Sequence, residues 1–178
     1  MPLSLPDWPH IDAVICRLRP AQQADLAALR AAVTDPRFPP DLPLAQMARA
    51  NQLAGWLARL TTPEAATRLW SITANDHDVC IGQIGLIPID DADAHWVSYW
   101  LSPDWQGRGI ACSALAALSD AALARPGYTR LIAMIAPDNL ASIAVIRRAG
   151  FAKASVLDIR IGGSVVRDAF ERSGGSHR

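Results

Sequence analysis

The 178-residue chain predicts a single mixed α/β domain, and three observations carry that prediction. Hydrophobic residues make up 51% and charged residues 19%, too apolar a balance for disorder. A compact chain of this length buries roughly 70% of its unfolded surface, so it holds a core without disulfides or metal. The apolar spacing also changes period along the chain, and from residue 102 onward helical and strand patterns alternate, as in layered α/β folds.

The elements follow in order. Residues 11–18 have the apolar content of a strand and are closed by Pro20. Residues 22–33 place Leu26, Leu29 and Val33 at helical spacing, and Thr34-Asp35-Pro36 stops them. A proline-rich link then leads to a longer periodic segment with Leu44, Met47, Leu57 and Leu60 on its stripe, where Pro43 suits a first helical turn. Residues 68–73 and 79–87 read as a hairpin around the polar turn Asn75-Asp76-His77-Asp78. The acidic loop Asp90-Asp91-Ala92-Asp93 precedes a strand at 95–101. Residues 112–124 form a helix with Leu115, Leu118, Ala122 and Leu123 on one face, and 131–136 form a short strand. The helix at 139–149 buries Leu140, Ile143, Ile146 and Ala149, with Asp138 or Asn139 as its cap and Gly150 as its left-handed stop. Residues 156–161 and 165–170, split by Gly162-Gly163, make a last hairpin. The domain spans residues 11–172, with residues 1–10 and 173–178 as tails.

Several function classes are disfavoured at once. Lys+Arg and Asp+Glu both count 17, so there is no basic balance of the kind a dedicated nucleic-acid binder carries. Cys16, Cys80 and Cys112 are odd in number and widely spaced, and His10, His77, His95 and His177 form no ligand ladder with them; neither a disulfide framework nor a metal site is expected. The first ten residues lack the pattern of a signal peptide, and no apolar run approaches the length of a membrane span. A cytoplasmic location is expected.

One stretch carries chemistry: Tyr99-Trp100-Leu101-Ser102-Pro103-Asp104-Trp105-Gln106-Gly107-Arg108-Gly109-Ile110-Ala111. A strand runs into a glycine-rich turn, and the turn opens a helix. Helix starts carry unpaired amide N–H groups and partial positive charge, which suit phosphate. Gly107 and Gly109 let an anion approach the backbone, and Arg108 adds a charge-assisted contact. The spacing fits neither the dinucleotide fingerprint nor the Walker loop.

Gln106, Gly109 and Ala111 match the Gln/Arg-x-x-Gly-x-Gly/Ala signature, and further on Asn139-Leu140-Ala141-Ser142 precedes Arg148-Ala149-Gly150-Phe151. With these two blocks in register, the chain resembles the GNAT superfamily of acyl-CoA-dependent N-acyltransferases. Within it, the chain is similar to the RimJ/RimL branch, the ribosomal-protein N-terminal acetyltransferases and their relatives. The resemblance implies a central, mostly antiparallel sheet with splayed middle strands, flanked by helices, and acetyl-CoA as acyl donor substrate without a metal. By position, Tyr99, Trp100 and Leu101 would offer backbone groups to the pantetheine and thioester. Gln106, Gly107, Arg108, Gly109, Ile110 and Ala111 would hold the pyrophosphate, and Asn139 and Ser142 would contact the pantetheine end.

Amine acylation needs a neutral amine, a polarised thioester and a proton for the departing thiolate. Ser142 is the expected donor near the thiolate, with Tyr99 as an alternative acid, and His95, Asp158 and Asp93 are the candidate bases. Two usual positions are changed: Ile146 stands where many relatives carry a tyrosine acid, and Met134 where others carry a glutamate base. The acceptor would be a primary amine, either a peptide N-terminus or a small molecule, with Trp56 or Trp70 lining its pocket. Family analogy suggests a homodimer, and no nucleic-acid or membrane partner is implied. A different class of reading, a CoA-binding module without catalysis, is motivated by the two changed positions.

Overall fold

The computed structural model describes residues 8, 10–74, 76–89, 94–154 and 168–174. Among the described residues, eight strands form one sheet in the order β1-β2-β3-β4-β5-β6-β8-β7. They are β1 (Ile11–Asp12), β2 (Cys16–Pro20), β3 (Arg68–Ala74), β4 (Cys80–Pro88), β5 (Ala94–Leu101), β6 (Arg130–Ile135), β7 (Ala152–Lys153) and β8 (Asp168–Ser173). Every neighbouring pair is antiparallel except β5 and β6. The helices are α1 (Leu26–Thr34), α2 (Pro43–Arg49), α3 (Leu53–Leu60), α4 (Ile110–Leu123) and α5 (Leu140–Arg148). The mixed α/β, mostly antiparallel architecture agrees with the expected fold class.

Several boundaries differ from the sequence expectation, the first three for a local reason. The strand expected over 11–18 is two strands, because the chain reverses at residues 13–15 and Ile11 pairs back onto Leu18. The first helix opens as a 3-10 turn (Gln23–Asp25), where the Asp25 carboxylate accepts from the Gln22 N–H at 2.8 Å. The long periodic segment is two helices, broken where Asn51 takes a left-handed φ of 54°, which asparagine tolerates better than most residues. The final strand, Asp168–Ser173, runs three residues past its expected end, and the strand expected at 156–161 lies outside the described residues.

Strand alternation divides the core into two layers. Leu18, Trp70, Ile72, Ile84, Leu86, Val97, Leu101 and Leu131 pack with Ile110, Ala114, Leu115 and Leu118 of α4 and Ile146 of α5 on one face. On the other, Leu29, Ala32, Val33, Phe38, Ala45 and Leu53 of the α1–α3 region pack against Cys80 and Trp100. Trp8 is buried in the first layer, edge-on to both Trp70 and Tyr128, with the Arg125 guanidinium 4.2 Å from its ring centroid. A charged pair is buried as well: Arg19 clasps Asp25 through two bonds of 2.7 and 3.0 Å, and Ser71 donates to the same carboxylate at 2.7 Å. Burial works against the Asp25 charge, but Arg19, Ser71 and the Gln22 amide outweigh it and hold the carboxyl below its usual range. Among the described residues no helix is long and apolar enough to cross a membrane.

The feature that positions the site is the seam between β5 and β6. Their parallel pairing covers Ala94↔Arg130, His95↔Leu131 and Trp96↔Ile132, and then ends. Beyond it β5 stays with β4 up to Leu101, while β6 stays with β8 up to Ile135. The middle of the sheet therefore splays open toward the C-terminal ends of both strands.

Candidate active site

The open edge of β5 offers a defined set of groups. Ser102 donates its N–H to Ile81, and the Trp100 carbonyl lies against Gly82, so both of these backbones face β4. Backbone direction alternates along a strand, which turns the C=O group of Val97 and the N–H and C=O groups of Tyr99 and Leu101 toward the gap, the Val97 N–H closing the last pair with β6. This corrects the expectation for Trp100, whose backbone groups serve the β4 ladder. Its indole Nε1–H meets Gln83 Oε1 at 3.2 Å inside the second core layer. Val97 replaces it as an edge residue. That parity could have been counted back from Leu101, had the direction of one hydrogen bond been known.

At the top of the gap the chain makes a 3-10 turn (Pro103–Trp105) and enters the glycine loop. Gln106 reaches back to donate to the Leu101 carbonyl at 3.0 Å, so its side chain braces the loop against the end of β5. Gly107 and Gly109 sit at φ of 73° and 78°, in the left-handed region where side chains are strained. A Cβ at Gly107 would meet nothing within 4 Å, so the backbone there borders open space. Gly109 is the cap residue of α4, and no side chain caps that helix. The first amides of α4 are therefore available to an anion, with the helix dipole behind them. Arg108 is exposed, its guanidinium 5.0 Å from the Trp105 ring centroid, and Ile110 anchors the turn in the core. Cys16 of β2 supports the turn from below, its Sγ 3.9 Å from the Ile110 carbonyl oxygen. Ile15 Cδ1 lies 3.6 Å from the position a Gly109 Cβ would take; nothing in the sequence marks this neighbour. An open hollow of about 420 Å³ adjoins the same loop from the α1 side, between Ala28, Asp35, Val79 and Asp104.

The other wall of the gap is the start of α5. Asn139 is its cap, its Oδ1 accepting from the Ser142 N–H at 3.0 Å, which leaves the Asn139 amide nitrogen as the group free to face a ligand. Ser142 is half-buried on the first turn. The end of the helix is a Schellman turn: Phe151 donates to Ile146 and Gly150 to Arg147, with Gly150 at φ 88°. Phe151 is buried beneath it, so the Gly-Phe pair fixes how α5 sits on the sheet. Tyr99 spans the gap. Its side chain lies on the α4/α5 face of β5, and its hydroxyl stands 3.5 Å from the Ser142 carbonyl oxygen. Burial pushes its phenol pKa up, partly offset by that contact, and Cys112 on α4 is near enough to add to the rise.

The structure thus brings Tyr99, Leu101, residues 106–111, Asn139 and Ser142 around one opening. His95 stands apart. It lies at the closed end of the seam, stacked on Tyr128 with ring centroids 4.2 Å apart, four residues and roughly 13 Å along the strand from Tyr99. Asp158 and Asp93 lie outside the described residues. Ile146 is fully buried, and Met134 is half-buried on β6. Among the described residues no group of three or more His, Cys, Asp or Glu could hold a metal ion.

Residues 16–152 match the family model of the acetyltransferase (GNAT) domain. No curated protein is a significant match to the sequence. Among solved structures, Mycobacterium smegmatis RimJ in complex with CoA-disulfide is similar at a TM-score of 0.73 and 21% identity, covering 93% of this chain and 88% of that one. The acetyltransferase of Agrobacterium tumefaciens strain C58 gives a TM-score of 0.69 at 25% identity, covering 93% and 94%. The microcin C7 self-immunity acetyltransferase MccE, in complex with acetyl-CoA and AMP, gives 0.75 at 16%, covering 90% and 93%.

Proposed function

Because the chain belongs to the GNAT acetyltransferase family, we propose that this N-acetyltransferase moves the acetyl group of acetyl-CoA to a primary α-amine by direct attack in a ternary complex. The observation that carries the reading is the seam: β5 and β6 part after Trp96↔Ile132, and the gap leads straight to the uncapped start of α4. An extended, amide-bearing arm ending in a diphosphate has the shape and chemistry of that opening. Amides at 107–111 and Arg108 hold the diphosphate, and the edge groups of Val97, Tyr99 and Leu101 pair with the arm. RimJ and MccE, which share the fold, carry CoA or acetyl-CoA in their structures.

The residues at the opening then do the following. A β5 edge N–H, at Tyr99 or Leu101, donates to the thioester oxygen and stabilises the charge that builds there, in a site largely cleared of water. The Ser142 hydroxyl hydrogen-bonds the departing sulfur. With Met134 at the usual base position, the acceptor arrives neutral by its own acidity. An α-amine of pKa about 7.8 is roughly one-seventh neutral at pH 7, whereas a lysine side chain of pKa about 10.4 is neutral only about 0.04% of the time. That factor of several hundred favours a peptide N-terminus or an amino-acid-like amine over lysine.

Calorimetric titration with acetyl-CoA and ATP, followed by thiol release against peptides with free N-termini, N-acetylated lysine peptides and small amines, tests the proposal. Tight acetyl-CoA binding, no ATP binding, and turnover on free α-amines are expected. Ser142→Ala is expected to keep the affinity and lower kcat at least tenfold. Failure to bind acetyl-CoA would overturn the proposal, and binding without turnover on any amine would leave the non-catalytic module in its place.

A further inference from the structure

The acid that relatives place on α5 is missing, since Ile146 fills that position and is sealed in the core. The described protic side chains around the inner end of the gap are Ser142, Cys112 and Tyr99. Resting on the acetyl-CoA reading above, we propose that the phenol of Tyr99, delivered from β5 rather than from α5, is the acid that protonates the departing CoA thiolate. Its backbone belongs to the open edge along which the pantetheine would run, while its ring crosses toward α5 and ends 3.5 Å from the Ser142 carbonyl oxygen. That contact is at the long limit of a hydrogen bond, so the hydroxyl gives it up at little cost when a better acceptor enters the gap. A thiolate beside Ser142 is such an acceptor.

Acid strength decides between the candidates. A phenol of ordinary pKa about 10 lies within a unit or two of a thiol near 8.5, whereas a serine hydroxyl is a far weaker acid. Burial raises the phenol further and keeps it protonated through the neutral range, as a donor requires. In the step, the amine nitrogen forms a bond to the acyl carbon, the C–S bond breaks, and its electron pair takes the Tyr99 proton. The proton shed by the new amide nitrogen leaves to water, and water returns one to the phenolate. Ser142 keeps its hydrogen bond to sulfur throughout.

The first test needs no acceptor. Wild type and Tyr99→Phe are titrated with CoA and with desulfo-CoA, which lacks the thiol. Wild type is expected to prefer CoA severalfold, and Tyr99→Phe to lose most of that preference, keeping only the part that the Ser142 hydrogen bond to sulfur supplies, with desulfo-CoA affinity unchanged. A preference undiminished in Tyr99→Phe would overturn the assignment. The kinetic arm uses the α-amine peptide that wild type turns over best. Tyr99→Phe is expected to lower kcat by about 100-fold or more with KM for acetyl-CoA within threefold. A kcat within threefold of wild type would overturn it, and so would a rate loss matched by lost desulfo-CoA affinity, which would mark the hydroxyl as structural. Wild type that binds neither ligand would refute the donor reading itself, an outcome distinct from both.

Discussion

The glycine pair before α4 permits a test in which stability and ligand binding separate. In Gly107→Ala and Gly109→Ala the new methyl group meets open space at the first site, and only an ordinary 3.6 Å contact with Ile15 at the second. The folding cost is therefore the backbone cost of an L-residue in the left-handed region, about 1–2 kcal/mol. For a chain of this size that lowers Tm by roughly 2–8 °C. Gly127→Ala is the matched control, because Gly127 has the same kind of φ, 83°, and lies beyond the other end of α4. All three variants are expected to lose similar stability in a thermal scan. CoA affinity is expected to separate them. On the proposed reading the methyl stands where the backbone approaches the diphosphate, and one charge-assisted hydrogen bond lost costs about 1.5–3 kcal/mol. By titration calorimetry, Gly107→Ala and Gly109→Ala should therefore weaken CoA by roughly 10- to 150-fold, and Gly127→Ala should bind it as wild type does. Equal affinities in all three would show that the diphosphate does not sit on this loop.

The buried pair predicts a large loss from a single truncation. Arg19→Ala leaves the Asp25 carboxylate buried without its partner, and urea unfolding should register a loss of about 3–5 kcal/mol; a loss below 1 kcal/mol would mean that the pair is not desolvated. The same carboxyl predicts an acid response. Its folded pKa lies below the unfolded value near 3.9, so its contribution is full above about pH 5 and is lost as pH falls through the folded value. Asp25→Asn should lose less stability than wild type between pH 5 and pH 2, and parallel pH curves would refute the sign. Thiol reactivity tests the placement of the cysteines. Burial pushes the thiols of Cys16 and Cys80 up to about 11, while Cys112 is half-buried beside Tyr99. A disulfide reagent at pH 8 should label Cys112 first, CoA should slow that labelling, and peptide mass mapping should find Cys16 and Cys80 labelled only on unfolding.

What the sequence made legible follows from which signals are local. The two motif blocks were readable because each is a backbone requirement written in residue type: Gly107 and Gly109 at left-handed angles, Asn139 as the cap of α5, and Gly150-Phe151 closing its Schellman turn. The breaks at residues 13–15 and at Asn51 were missed because apolar content continues across them, and only tertiary pairing shows that the chain turns. The burial of Trp8 is likewise set by partners distant in sequence, Trp70 and Tyr128. The seam itself belongs to this second kind. Nothing in the residues of β5 says that its partnership with β6 lasts for three pairs while β6 stays with β8 through six consecutive pairs. Each strand keeps one full partner, so the sheet opens without losing its outer ladders. What the opening costs is borne by the inward groups of β5, and buried backbone groups seldom go without partners. Leu101 shows one local answer, its carbonyl taken by Gln106. The Tyr99 amide lies deeper, beyond the reach of that loop, and a ligand with an amide-bearing arm is the partner that would complete the strand.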